Sequence, residues 1–339
     1  MLTESPVAAE QLDAKWADIQ SKGYAIAPFL SQPEMDALLE LHHSTTPVVP
    51  SDYYPSGFGR SETRRRIFNG IMEIIGPRVE ELTPGYRPLM ASFVTKKALS
   101  TRGRLALHQD YSLVNHDEHL GLNVWAPLCD VDDRNGCMRM VDYSHRFGHI
   151  SAMPPNPGAY TSLFGELEAH YLTSVPMAAG MACIFDTRIL HATEENVTAQ
   201  DRTAVVLNLV PVVAKPRLHF WNREVPTQLE VYNIDTEFAL KMTPNTYPTQ
   251  AEREGATFVG MIDYAPVPWT LAELEARIPR AEEQRVFSPP REISSAAEGY
   301  PPAPQSEPAA MLTEPAPSVR PPSPKTSWWR NVFSLGSPK

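Results

Sequence analysis

From about residue 88 the chain becomes a succession of short β-type runs, and this texture restricts its fold more than any other feature. The runs are LMASFVT, GLNVWAPL, GCMRMV, MACIF and TAVVLNLVP, separated by turns rich in Gly, Pro and Asp such as DVDDRNG. Branched and aromatic side chains suit a pleated, half-buried surface, and the turn residues stop each run before it lengthens. No regularly alternating helices intervene, so a sandwich or barrel is expected in place of a doubly wound sheet. Ahead of this region the signals are helical. Apolar residues recur at three- and four-residue steps from Ala9 to Ser21, and Lys22-Gly23 closes the pattern in the manner of a C-cap. A short strand, YAIAPF, comes next. Ser31 then stands as an N-cap with Glu34 three positions on, opening a helix through MDALLELHH. The predicted class is mainly β with flanking helices, and no internal repeat is present.

The chain has 339 residues, 42% of them hydrophobic, which is enough for one sizeable globular domain with an appendage. Proline marks the appendage: 12 of the 34 prolines fall from Pro289 onward, in runs such as PPAPQSEP and PAPSVRPPSPK. Such a composition cannot bury enough apolar surface to fold, so a domain over residues 1–285 and an extended tail over 286–339 are expected. The tail ends in KTSWWRNVFSL, where WWRNVF is either an aromatic end without structure or a docking peptide for a partner or membrane surface.

The net charge of −10 argues against general nucleic-acid or anionic-membrane binding, because phosphate surfaces repel an acidic chain. Cys129, Cys137 and Cys183 are odd in number and lack metal-ligand spacing, so they read as reduced thiols. The first residues show neither a basic n-region nor an apolar h-region, and no stretch approaches about 18 uninterrupted apolar residues. A cytoplasmic protein without a transmembrane segment is expected.

His108-Gln109-Asp110 follows the apolar run RLAL. On a strand, residues two apart share a face, so His108 and Asp110 would project into one site. Alone the pair carries little weight, since ten histidines make one such occurrence by chance about an even matter. His191, 83 residues after His108 and behind a second β-type run, adds the third donor. Two imidazoles and a carboxylate on one face of an octahedron suit Fe(II) and leave three positions open for a bidentate cosubstrate and O2. Arg202 stands 11 positions after His191 at the start of TAVVLNLVP. Its fork suits a carboxylate, with Thr193 adding a hydroxyl donor; the alternative for an isolated Arg is a surface ion pair with Asp201 or Glu195.

At these residues the chain resembles the phytanoyl-CoA dioxygenase family of Fe(II)/2-oxoglutarate oxygenases. GYAIAPFLSQPEMDALLEL is similar to the family's opening strand and helix, and LALHQD to its first metal motif. VWAPLCDVDDRNGCMRMVDYSHRFGH and HATEENVTAQDR continue the likeness in order, over roughly residues 15–215. One departure is Asp142-Tyr143, where the family has a small, Gly-containing step before Ser144-His145.

The resemblance implies a double-stranded β-helix, a cupin-like jelly roll with iron at its mouth. It implies His108, Asp110 and His191 as metal ligands and Arg202 and Thr193 on the distal carboxylate of 2-oxoglutarate. It also places Trp125 near that cosubstrate, Asn123 on the same strand face, and Ser92 in the same pocket. His145 and His149 read as structural residues or as supports of the ligands, not as metal ligands.

The implied reaction couples decarboxylation of 2-oxoglutarate to succinate and CO2 with hydroxylation of a small-molecule substrate, or with desaturation or cyclisation. The carboxylate of Asp110 disfavours halogenation, because related halogenases have a small residue there. Arg66 within SETRRR, with Gln109 and Tyr111 flanking the metal motif, are candidate substrate contacts. SETRRR with Lys96, Lys97, Arg102 and Arg104 reads either as a basic rim for an anionic or acyl-type substrate or as solvated loop charge. Residues 219–268 form either a lid over the mouth or a helical extension. Two competing functions use the same barrel: a cupin-like metalloenzyme without 2-oxoglutarate, which has no need of Arg202 and Thr193, and a silent scaffold recruiting a partner through its tail.

Overall fold

The computed structural model describes residues 6–49 and 51–280, with side chains from residue 14 onward. The chain divides after Gln284, so the expectations for the proline-rich tail and WWRNVF lie outside the described residues.

Helix α1 (Pro6–Lys22) ends where Gly23 takes φ 103°, a conformation open to glycine without strain. Strand β1 (Tyr24–Pro28) leads to α2 (Gln32–Thr45), which Ser31 opens as expected: the Glu34 carboxylate accepts from both its N–H and its hydroxyl, each at 2.7 Å. After β2 (Tyr53–Pro55) comes α3 (Ser61–Leu82), 22 residues that correct the reading of SETRRR as loop. Arg64, Ile67, Ile71, Ile75, Val79 and Leu82 are buried along it at three- and four-residue steps. Pro77 sits on its exposed side, where water can take the carbonyl that loses its helical partner.

The strands then follow in order: β3 (Tyr86–Lys96), β4 (Leu105–His108), β5 (Leu122–Pro127), β6 (Met138–Val141), β7 (Leu172–Val175), β8 (Met181–Asp186), β9 (His191–Thr193) and β10 (Arg202–Pro211). Short helix α4 (Phe164–His170) precedes β7. One antiparallel sheet has the order β1-β8-β5-β10-β3-β2, and a second has β4-β9-β6-β7. The expected mainly-β jelly roll with flanking helices is the fold found.

Alternation along each strand sorts its side chains to two faces. Val205, Leu207 and Leu209 of β10, with Phe93, Val124 and Ile184, meet the isoleucines of α3 and Leu38 of α2 on the outer side of the large sheet. Ala204, Trp125, Val94, Cys183 and Phe185 point inward and pack with Met138, Met140 and Val175 of the small sheet. This inner cluster is the barrel core.

Residues 217–263 add a third antiparallel sheet, β11 (Arg217–Trp221), β12 (Gln228–Asn233) and β13 (Thr257–Asp263), with α5 (Thr236–Lys241) and α6 (Gln250–Glu254) between β12 and β13. The region is thus largely β, which corrects the helical-extension alternative. Its apolar side joins one cluster with Leu89, Leu113 and Val114, against which Tyr111 and Met90 are packed. Further on, α7 (Leu271–Glu275) and the turn after it bring Leu274 and Ile278 against Leu107, Leu172 and Leu190 on the outer face of the small sheet.

The Asp142-Tyr143 departure has a visible consequence. Tyr143 takes φ 68°, the left-handed region that a glycine-containing step would enter freely. Asp142 is 7% exposed, and burial pushes its carboxyl up to about 6 in spite of the hydrogen bond from Tyr24 and the Lys22 charge. A folded state that binds this proton more tightly than the unfolded chain loses stability as pH rises from about 4 to about 6, and the penalty is complete above that range. Asp142→Asn keeps an acceptor for Tyr24 and removes the charge. It should stabilise the fold by about 1–3 kcal/mol at pH 8 and leave it nearly unchanged at pH 4, as read by urea denaturation at the two pH values.

Candidate functional site

The two histidines meet because β4 and β9 are paired in a register that sets His108 opposite His191, with Leu105 opposite Thr193. Their rings lie 4.2 Å apart between centroids. Each ring is oriented by its own strand: Nδ1–H of His108 donates to the Ala106 carbonyl at 2.9 Å, and that of His191 to Ile189 at 3.1 Å. This leaves both Nε2 atoms as the free donors. Asp110, two residues beyond His108, brings Oδ1 to 3.6 Å from His108 Nε2 and Oδ2 to 3.8 Å from His191 Nε2. One ligand atom from each of the three residues lies within 4.8 Å of the others, a group able to hold a metal ion.

The electrostatics suit a cation. Burial pushes Asp110 up, but His191, His108 and the Asn123 amide outweigh it and hold the carboxyl below the usual carboxylate range. His191 is pushed down to about 4 by burial and by His108 beside it, against the pull of Asp110. A neutral His191 and an ionised carboxylate are the forms in which these groups ligate a metal.

Asn123 faces this site from the large sheet, as its expected strand face requires. Its amide nitrogen donates to Asp110 Oδ2 at 2.5 Å, and its carbonyl accepts from Asn208 Nδ2 at 2.7 Å. Asn123 and Asn208 are register partners on β5 and β10. A two-amide relay therefore orients the carboxylate, and Asn208 has no signal in the linear sequence.

Arg202 is 1% exposed at the start of β10, far from the surface ion pair that an isolated Arg would make. Its Nε donates to the Asn135 carbonyl at 3.3 Å and Nη2 to Gly136 at 3.0 Å, while Trp125 lies 5.2 Å from its guanidinium carbon. Nη1 is buried without a partner among the described residues, and so is the hydroxyl of Thr193. Burial lowers Arg202 to about 10, so it stays charged at neutral pH. Two orphaned buried donors of this kind fit a carboxylate. Ser92 and Trp125 flank Val206 on the inner face of the same sheet.

Tyr53 was not anticipated. It pairs with Lys96 on β3, which pairs in turn with Arg202. Its phenol is raised by burial and lies within electrostatic reach of both Arg202 and Asp110, the two ends of the site.

The candidate substrate contacts fare unevenly. Gln109 has both ends of its amide occupied, accepting from the Tyr160 hydroxyl at 2.6 Å and donating to the His149 carbonyl at 3.2 Å. Tyr111 is packed against the cluster built by residues 217–263 and lies within electrostatic reach of Asp110. Arg66 is exposed on α3, with Ser44 of α2 at 3.5 Å, and the structure does not gather it with the metal group. The basic rim loses two of its members, while Arg102 stays exposed. Lys96 is fully buried, and Arg104 is paired with Glu168 at 2.8 Å and Glu194 at 3.2 Å. His145 and His149 contact the Gln20 carbonyl and the Tyr264 hydroxyl, in keeping with structural roles.

A family model described as Phytanoyl-CoA dioxygenase (PhyH) matches residues 22–204. The chain belongs to that family and is a non-haem iron, 2-oxoglutarate-dependent dioxygenase. No curated protein matches it. Among solved structures, it is similar to the epimerase SnoN in complex with Fe3+, alpha ketoglutarate and nogalamycin RO. That likeness has 21% identity and a TM-score of 0.48, over 61% of this chain and 86% of that one. The carbocyclase SnoK from nogalamycin biosynthesis is 19% identical over 62% and 87% of the two chains, with a TM-score of 0.45. EvdO2 from Micromonospora carbonacea var. aurantiaca, complexed with 2-oxoglutarate, is 18% identical over 59% and 90%, with a TM-score of 0.39. Among the described residues no helix is long and apolar enough to cross a membrane.

Asn123→Ala releases Asp110 from its relay. Affinity for Fe(II), or for Co(II) as a probe, is expected to fall about 10- to 100-fold in an anaerobic titration. Unchanged affinity would mean that the amide does not orient the carboxylate.

Proposed function

We propose that His108, Asp110 and His191 hold the iron, that Arg202 and Thr193 hold the distal carboxylate of 2-oxoglutarate, and that the enzyme hydroxylates an unactivated C–H bond of a small molecule. The observation that carries this reading is the pair of buried donors without a partner among the described residues, Arg202 Nη1 and Thr193 Oγ1, in the same barrel as the three ligand atoms. A metal site alone suits many reactions. A buried Arg with one guanidinium nitrogen left free calls for an anion, because leaving a charged donor unpaired in the interior is costly.

When bound, iron with 2-oxoglutarate and O2 supplies the oxidising chemistry, with succinate and CO2 as coproducts. The chain's own residues bind, orient and dry the site. Asp110 contributes the negative charge that offsets the cation, and Asn208 and Asn123 keep its carboxylate turned toward the histidines. The Asn135 and Gly136 carbonyls aim the Arg202 fork by holding two of its nitrogens. Trp125, Phe185 and Met140 close the space around them with apolar surface, which keeps water from the reacting atoms and strengthens each charge interaction. A carboxylate at position 110 occupies the place a halide would need, which supports hydroxylation over halogenation. Tyr53 is a further cosubstrate contact in this reading, since its phenol lies in reach of both Arg202 and Asp110. Tyr111 is the substrate-side candidate, because it combines proximity to Asp110 with packing against the added sheet.

Anaerobic addition of Fe(II) and 2-oxoglutarate should give the weak visible charge-transfer band of the chelate; folded protein with excess iron and no band would sink the assignment. Asp110→Ala should abolish succinate formation. Arg202→Met should raise the KM for 2-oxoglutarate at least about 30-fold while iron affinity is retained, as expected for loss of one partner in a buried charged pair.

A further inference from the structure

Lys96 ends β3 with 0% of its surface exposed. An ammonium in that position is costly unless every N–H is used. Here each one is, since Nζ donates to the carbonyls of Gly103, Thr193 and Glu194. Three acceptors and no donor around the nitrogen match a protonated amine. The ring of Tyr53 lies 5.3 Å from Nζ on the neighbouring strand. Burial and then the Arg202 guanidinium push the lysine down from its usual range, while Glu195 and Glu194 pull the other way.

The placement of this cation is the unexpected feature. Lys96 and Arg202 are direct register partners across β3 and β10, an arrangement of like charges that costs stability in an antiparallel sheet. The same turn serves both side chains. Gly136 accepts from Arg202 Nη2 at 3.0 Å. A Cβ at Gly136 would lie 3.0 Å from Lys96 Cδ, 3.1 Å from its Cε and 2.6 Å from the Glu194 carbonyl oxygen. Asn196 then ties the following loop to the Lys96 carbonyl at 3.3 Å. Two buried cations sharing one turn are reconciled when an anion lies beside them.

We infer that Lys96 is a positioning residue of the cosubstrate subsite. It acts through the end of β9, where it fixes the Thr193 backbone, and through a second positive charge beside Arg202. Its effect is selectivity for a 2-oxo dicarboxylic acid over a 2-oxo monocarboxylic acid. The inference rests on the reading of Arg202 and Thr193 given above.

The test uses the full chain with Fe(II) under anaerobic conditions, titrated by the charge-transfer band with 2-oxoglutarate and separately with 2-oxopentanoate. Lys96→Met is expected to weaken 2-oxoglutarate about tenfold, the loss of one modest charge interaction, and to leave 2-oxopentanoate unchanged. In turnover the KM for 2-oxoglutarate rises while kcat at saturation holds. Lys96→Gln keeps an N–H donor for the carbonyls and serves where the Met variant fails to fold; it should show the same selectivity loss. A wild-type band with variant affinities unchanged, or reduced equally for both acids, overturns the role of Lys96 alone. No wild-type band overturns the cosubstrate reading and this inference with it.

Discussion

The pairing of β4 with β9 is the contact on which the metal group depends. Neither strand exceeds four residues, and their ladder sets His108 against His191 across a register irregularity between Leu105 and His108. A slip of one residue in either strand would turn its histidine to the other face and dissolve the group. The register is defended from both sides. Leu107, Leu190 and Ala192 are buried on the outer face of the small sheet under Leu274 and Ile278, while Met138, Met140 and Phe185 pack on the inner face. The Ser144 hydroxyl also accepts from Leu190 N at 2.8 Å, one residue before His191.

A second constraint is the handling of charge inside the barrel, where Lys96 and Arg202 are buried and Asp110 is half-buried. Asp110, Lys96 and Arg202 stand in one barrel, and each is answered differently. The carboxylate has two imidazoles and an amide. The lysine has three carbonyls, and the arginine has two carbonyls with one nitrogen left over among the described residues. The asymmetry is informative, because a scaffold selected only for stability gains from replacing such groups with well-packed apolar side chains. The polar groups of Arg202 and Thr193 that find no partner among the described residues are those the proposed function gives to a ligand, and the satisfied ones are those it gives to holding the site still.

Much of the candidate site's geometry is legible in the sequence. His108 and Asp110, like His191 and Thr193, stand two residues apart; the structure gathers the ligand atoms of His108, Asp110 and His191 and buries Thr193 and Arg202 in the same barrel. The capping pair Ser31 and Glu34 and the Gly23 stop were readable for the same reason, as contacts between near neighbours. What failed were inferences from local charge. SETRRR reads as loop because its arginines look solvated, yet it is the first turn and a half of a helix whose isoleucines lie further on. Lys96 reads as rim because charge suggests exposure, yet carbonyls from residues 103, 193 and 194 converge on it.

The sequence by itself thus determined the mainly-β class, the family, and the residue types and order of the donors proposed for metal and cosubstrate, since each is written in residue type and short-range spacing. Tertiary structure alone decided the rest. It made Asn208 the support of Asn123, drew Gln109 into a clasp with Tyr160, set Tyr53 and Lys96 in one row with Arg202, and left Arg66 outside on α3. The reason is physical. These relations are cross-strand and cross-loop contacts between segments tens of residues apart, and their partners are chosen by register and packing, which no single segment encodes.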